Sequence, residues 1–126
     1  LVVHTAQPPV LCTGFAGSVA SIALNLFQLA ETEDEKATGC CVGAPMLTAE
    51  DESTIVPGAF LVGPTVVHGK LSFCFVYKFR QRFGVVADAI AKGLGMDTKA
   101  AVAACREMNM FLDDFECCKA ACGETC

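Results

Sequence analysis

DTKAAVAACREMNMFLDDFECCKAACGETC, the thirty residues from Asp97 to Cys126, holds five of the chain's nine cysteines and decides how the rest is read. Apolar side chains recur at Ala101, Cys105, Met108, Leu112, Phe115, Cys118 and Cys122. Steps of four and three place them on one face of an α-helix. Lys99, Arg106, Glu107, Asn109, Asp113, Asp114, Glu116 and Lys119 fall largely on the other side. Asp97 or Thr98 caps the start by accepting a free backbone N–H, and Gly123 ends the helix in a left-handed conformation. The spacing therefore predicts one long helix whose inner face carries thiols as well as hydrocarbon. Disulfides from that face would tie earlier parts of the chain against it.

Cysteine usage sets the expected compartment. Nine cysteines in 126 residues approach the density of disulfide scaffolds in short secreted chains. An oxidising environment follows, either outside the cell or in an organelle lumen. Adjacent Cys40 and Cys41 should bridge in different directions, because a ring closed between neighbours is strained. The expected pattern is four intrachain bridges among Cys12, Cys40, Cys41, Cys74, Cys105, Cys117, Cys118 and Cys122. Cys126, beyond the expected helix stop, is the odd thiol and would link a homodimer. The order of single and paired cysteines superficially resembles that of hydrophobins. The long gap from Cys12 to Cys40 and the helical C-terminus do not fit that family, so the chain is assigned to none. Leu1 stands where Met would open a chain, which suits a mature protein whose targeting segment has been removed.

Going outward from the terminal stretch, Phe83, Val86, Ile90 and Leu94 mark a shorter helix stopped at Gly95. With the final helix it forms an αα-hairpin. Before it, Val66 and Val67, then His68-Gly69, then Lys70 and Leu71 to Phe79 predict a β-hairpin with a two-residue turn. Its second arm alternates Leu71, Phe73, Phe75, Tyr77 and Phe79 with Ser72, Cys74, Val76, Lys78 and Arg80. That alternation predicts a strand with one aromatic face. His68 is placed at the hairpin tip, exposed. Lys78, Arg80 and Arg82 interleave with aromatics and read as the solvated edge of a sheet.

Val10 to Ala30 contains no formal charge, and as one helix it would be about 31 Å long, enough for a bilayer core. Gly14, Ser18, Ser21, Asn25 and Gln28 form a small or polar stripe along it. A buried helix in the domain uses such a stripe for close approach and hydrogen bonds. A single membrane span in an accessory subunit of a larger lumenal complex is the rival. Glu31 to Lys36 follows as a solvated acidic loop, and Met46 to Ser53 is a second acidic patch in which Thr48 could open one helical turn.

The fold expected is mainly α: one small disulfide-stapled helical domain, residues 1–126, with one β-hairpin. Apolar residues make up 53% of the chain and charged residues 18%, which is greasy for its size. The net charge of −5 argues against a nucleic-acid partner. No nucleophile–base pair, phosphate loop, zinc knuckle or calcium loop is present in the spacing, so no cofactor, metal or catalytic residue is assigned. The expected function is non-catalytic: binding an apolar small molecule or an apolar protein surface. The expected lining is Phe15, Ile22, Leu26, Phe73, Phe75, Met108, Leu112 and Phe115. A structural or surface-active secreted protein is the third class.

Overall fold

The computed structural model describes residues 19–23, 25–30, 43–69 and 71–115. Among them the architecture is small and mixed, with helices and one two-stranded antiparallel hairpin. In chain order these are α1 (Val19–Ile22), β1 (Val67–His68), β2 (Leu71–Ser72), α2 (Val76–Gly93) and α3 (Lys99–Glu107). Among the described residues Phe27, Val66, Phe73, Val85 and Val86 are the buried large apolar ones.

The hairpin forms with a two-residue connection, but one position later than the expected His68-Gly69 turn: Val67 pairs with Ser72, and His68 is a strand residue paired with Leu71. Gly69 opens the turn at φ 60°, a region that glycine enters without steric cost. The expected long second arm does not form. β2 stops at Ser72, and from Val76 the chain is helical. Phe75, Phe79 and Phe83 fit a helix as well as a strand because they are four apart, and the Phe79 and Phe83 rings lie 5.9 Å apart on α2. Extending an existing helix costs far less than nucleating a separate strand, so the helix expected from Phe83 runs back to Val76.

α2 ends as expected. Gly95 takes φ 78°, its N–H donates to the Lys92 carbonyl (2.9 Å), and the Met96 N–H donates to that of Ala91 (3.0 Å). Paired bonds of this kind close a helix through one left-handed residue. At the start of α3, Asp97 Oδ1 accepts the Lys99 N–H at 3.1 Å, whereas the Thr98 hydroxyl donates to Asp88 on α2. The αα-hairpin is therefore pinned side chain to side chain.

α3 is much shorter than its apolar periodicity predicts. Asn109 adopts φ 54°, and the same two bonds recur: Asn109 N–H to the Arg106 carbonyl (3.1 Å) and Met110 N–H to that of Cys105 (2.8 Å). Asparagine is the residue after glycine that tolerates this conformation. Residues 109–115 then cross α2 without helical structure. Gln81 Nε2 donates to the Asn109 carbonyl (3.0 Å), and the Leu112 N–H donates to the Gln81 carbonyl (3.2 Å). Gly84 makes the crossing possible, since a Cβ there would stand 2.7 Å from the Met110 carbonyl oxygen. Residues 116–126, where the rest of the long helix was expected, lie outside the described residues.

The uncharged segment is likewise not one helix to Ala30. α1 ends at Ile22, the chain turns at Asn25 and Leu26, and the next residues are extended. Leu29 bridges Pro45, with the Ala30 N–H on the Ala44 carbonyl (2.9 Å) and the Met46 N–H on that of Gln28 (2.7 Å). These strand-type bonds replace helical ones, and Ser53 Oγ holds the turn by donating to the Leu26 carbonyl. Among the described residues no helix is long and apolar enough to cross a membrane. Residues 10–18 and the acidic loop at 31–36 lie outside them.

Candidate functional site

Position 51 is reached through a tight loop. The Thr48 hydroxyl accepts the Glu50 and Glu52 N–H groups, the Thr48 N–H donates to the Glu52 carbonyl, and Leu47 bridges Ser53. Threonine supports such turns by mimicking a backbone acceptor. Asp51, at φ 64°, is thereby turned inward and is fully buried, so this part of the acidic patch is not solvated. Arg82 of α2 meets it, also fully buried, with Nε on Oδ2 and Nη2 on Oδ1, both 2.8 Å. Nη1 also donates to the Leu112 carbonyl, and Nη2 to that of Ala49. His68 Nε2 lies 2.5 Å from Asp51 Oδ1.

Aromatic rings wall this cluster. The Arg82 guanidinium carbon lies 5.0 Å from the centre of the Phe115 ring and 5.8 Å from that of Phe73. His68 stacks on Phe115 at 4.9 Å and meets Phe73 edge-on at 5.9 Å. A buried ion pair offsets its desolvation only when every donor and acceptor is met. Here each of these nitrogens and oxygens has at least one partner: among the described residues no buried side-chain polar atom lacks one. The cluster joins the loop at 48–53, the hairpin, α2 and the crossing segment in one set of hydrogen bonds. His68 is thus inside, not at an exposed tip, and Arg82 is not a solvated sheet edge.

Arg82 also fixes how α2 is rotated. Val85 and Val86 share its inward side. Val76, Arg80, Phe83, Ala87, Ile90 and Leu94 are exposed on the outward side, in steps of four, three, four, three and four. That spacing is the seam of helix–helix packing, and all but Arg80 are apolar. Val76 is 66% exposed, Phe83 43%, Ile90 44% and Leu94 75%. Beside its N-terminal end the exposed Phe75 and Tyr77 rings stack at 5.7 Å. Contiguous exposed hydrocarbon marks interaction surfaces, in contrast to scattered apolar residues.

Of the expected lining, the Phe73 and Phe115 rings come together, but around the Arg82 guanidinium, which Leu112 meets through its backbone carbonyl, and not around an apolar cavity. Ile22, Leu26, Phe75 and Met108 face solvent. Phe15 lies outside the described residues. Cys74 is an exposed free thiol and Cys105 a half-buried one. Cys12, Cys40, Cys41, Cys117, Cys118, Cys122 and Cys126 lie outside the described residues, so the expected disulfides and the Cys126 link are not placed.

An open depression of about 290 Å³ lies between the end of α2 and α3, lined by Lys92, Thr98, Lys99, Val102, Ala103 and Arg106. Two of its three cations have anionic neighbours: Lys92 bonds Asp88 at 2.8 Å and Arg106 bonds Asp113 at 2.6 Å. The Lys92 hydrogen bond, then that of Thr98, holds the Asp88 carboxyl below its ordinary value. Val102 and Cys105, not Ala101 and Met108, are the half-buried positions of α3. Among the described residues no three His, Cys, Asp or Glu side chains are grouped to hold a metal.

The α2 surface was hidden from periodicity because the strand reading divided the helix at Phe79. Read as one helix, residues 82, 85, 86 and 89 already share a face, and that grouping was the available signal for a buried Arg82. Nothing local to Asp51 or His68 announced their meeting. Compared with models of known protein families, the chain matches none.

Proposed function

We propose that this protein is a non-catalytic binding module that engages an apolar partner surface through the outward face of α2. The observation that supports it is the unbroken exposure of Val76, Phe83, Ile90 and Leu94 on a helix whose rotation a buried ion pair holds. Full burial of one such side chain contributes about 1.5–3 kcal/mol. Four of them left half in water therefore forgo on the order of several kcal/mol, which a partner would supply. Of the two occupants expected from composition, a partner surface fits this convex ridge, since small apolar ligands take concave sites. The abundance of cysteine supports a disulfide-stabilised protein of an oxidising compartment, secreted or lumenal.

A photoreactive phenylalanine analogue at position 83, compared with one at the exposed off-stripe position 55, tests the reading in extracts of the producing cells. Adducts of defined mass at 83 and none at 55 are expected. Equal labelling at both, or none at 83, overturns it.

A further inference from the structure

We propose that the partner of the α2 stripe is a second copy of this chain, packed antiparallel about a twofold axis near residue 85. The proposal rests on the reading of the stripe as a binding surface and gives it an occupant. The stripe is complementary to itself. Run antiparallel, Val76 faces Leu94, Arg80 faces Ile90, and Phe83 faces Ala87, each pair occurring twice. A twofold interface requires that kind of reciprocity.

Side-chain size matches at each level. The large Phe83 ring meets the small Ala87, so the helices can approach at the centre without a clash. Val76 and Leu94, the two most exposed of the four large apolar residues, close the ends on each other. Arg80 can lay its methylenes along Ile90 and keep its guanidinium at the wet rim, as long cationic side chains do. No acid or second cation interrupts the seam. A parallel pair would instead set Arg80 against Arg80 and Phe83 against Phe83, joining like charges and stacking bulk on bulk.

Sedimentation equilibrium of the purified protein, with non-reducing denaturing electrophoresis to separate covalent from non-covalent dimers, tests this. A non-covalent dimer is expected. Phe83→Asp should raise its dissociation constant at least about thirtyfold, the effect of losing a central interface anchor. Ile55→Asp, exposed but off the stripe, should leave it unchanged, and circular dichroism checks that both variants remain folded. A photoreactive residue at position 76 should label the partner's peptide containing Leu94. A monomer at every concentration, a dimer indifferent to Phe83→Asp, or labelling of the partner at position 76 overturns the proposal. If position 83 captures a partner of other mass while the purified chain is monomeric, the binding surface stands and the second copy does not.

Discussion

Asp51 and Arg82, thirty-one positions apart, meet through two 2.8 Å hydrogen bonds with neither side chain exposed to solvent. That pairing joins the least regular part of the described chain to its longest helix. Because the guanidinium also reaches the Leu112 and Ala49 carbonyls, its position cannot be changed by rotating α2 without breaking four contacts.

Asp51→Asn keeps a residue that tolerates the left-handed backbone but removes the charge facing Arg82. Breaking one side of a buried pair costs about 3–5 kcal/mol, far more than a surface ion pair. Urea unfolding should show a loss of that order, and a change below 1 kcal/mol would mean that the pair does not hold the fold.

Gly84→Ala sets two effects against each other. Alanine gains about 1 kcal/mol of helix propensity over glycine. Its Cβ, however, would press on the Met110 carbonyl, which is backbone held nearby by the Gln81 bonds to Asn109 and Leu112. Overpacking against such a neighbour costs about 1–3 kcal/mol, so net destabilisation is expected. A higher melting temperature for the variant would show that the crossing segment is not held there.

Asp88 gives the αα-hairpin a dependence on pH. Its folded-state carboxyl is lowered by the hydrogen bonds from Lys92 and Thr98, so the contribution is present above the ordinary carboxylate range and is lost as pH falls through the folded value. The melting-temperature advantage over Asp88→Asn should therefore be full at pH 7 and shrink below about pH 4. Lys92 is largely exposed, so salt should also weaken it. An advantage that is constant down to the lowest pH would exclude this account.

The two described thiols should differ in reactivity. Exposed Cys74 should alkylate in the native protein well before half-buried Cys105. If both stay free in the native protein, seven cysteines remain, which allow at most three intrachain bridges. Peptide mapping that finds either residue in a disulfide would refute this.

The parts legible in the sequence were those set by local chemistry. Gly69 and Gly95 announced a hairpin turn and a helix stop, and Asp97 announced a helix start. The parts that were not depend on distant partners. Asn109 ends α3 in the middle of an apolar stripe because Asn109 and Leu112 find hydrogen bonds on α2, at Gln81 and Arg82. Likewise the aromatic alternation at 71–79 satisfies two periodicities, and the choice falls to the helix that carries Arg82 inward. The aromatic residues expected to line a ligand site, Phe73 and Phe115, instead form the wall of a salt bridge that no local pattern encodes.

Arg82 and Phe83 reverse the usual placement of charge and hydrocarbon, and substituting each in turn tests the orientation of α2 most directly. Chemical denaturation of Arg82→Met and Phe83→Asp should be compared with the parent chain at a concentration where all three are monomeric. The account predicts a loss of about 3–5 kcal/mol for Arg82→Met, which removes the guanidinium from buried Asp51 and leaves it only His68 as a side-chain partner. For Phe83→Asp it predicts a smaller loss, about 1 kcal/mol, because the ring is already 43% exposed and gives up only part of a full burial. The opposite order, a tolerated Arg82→Met and an unfolded Phe83→Asp, would contradict it.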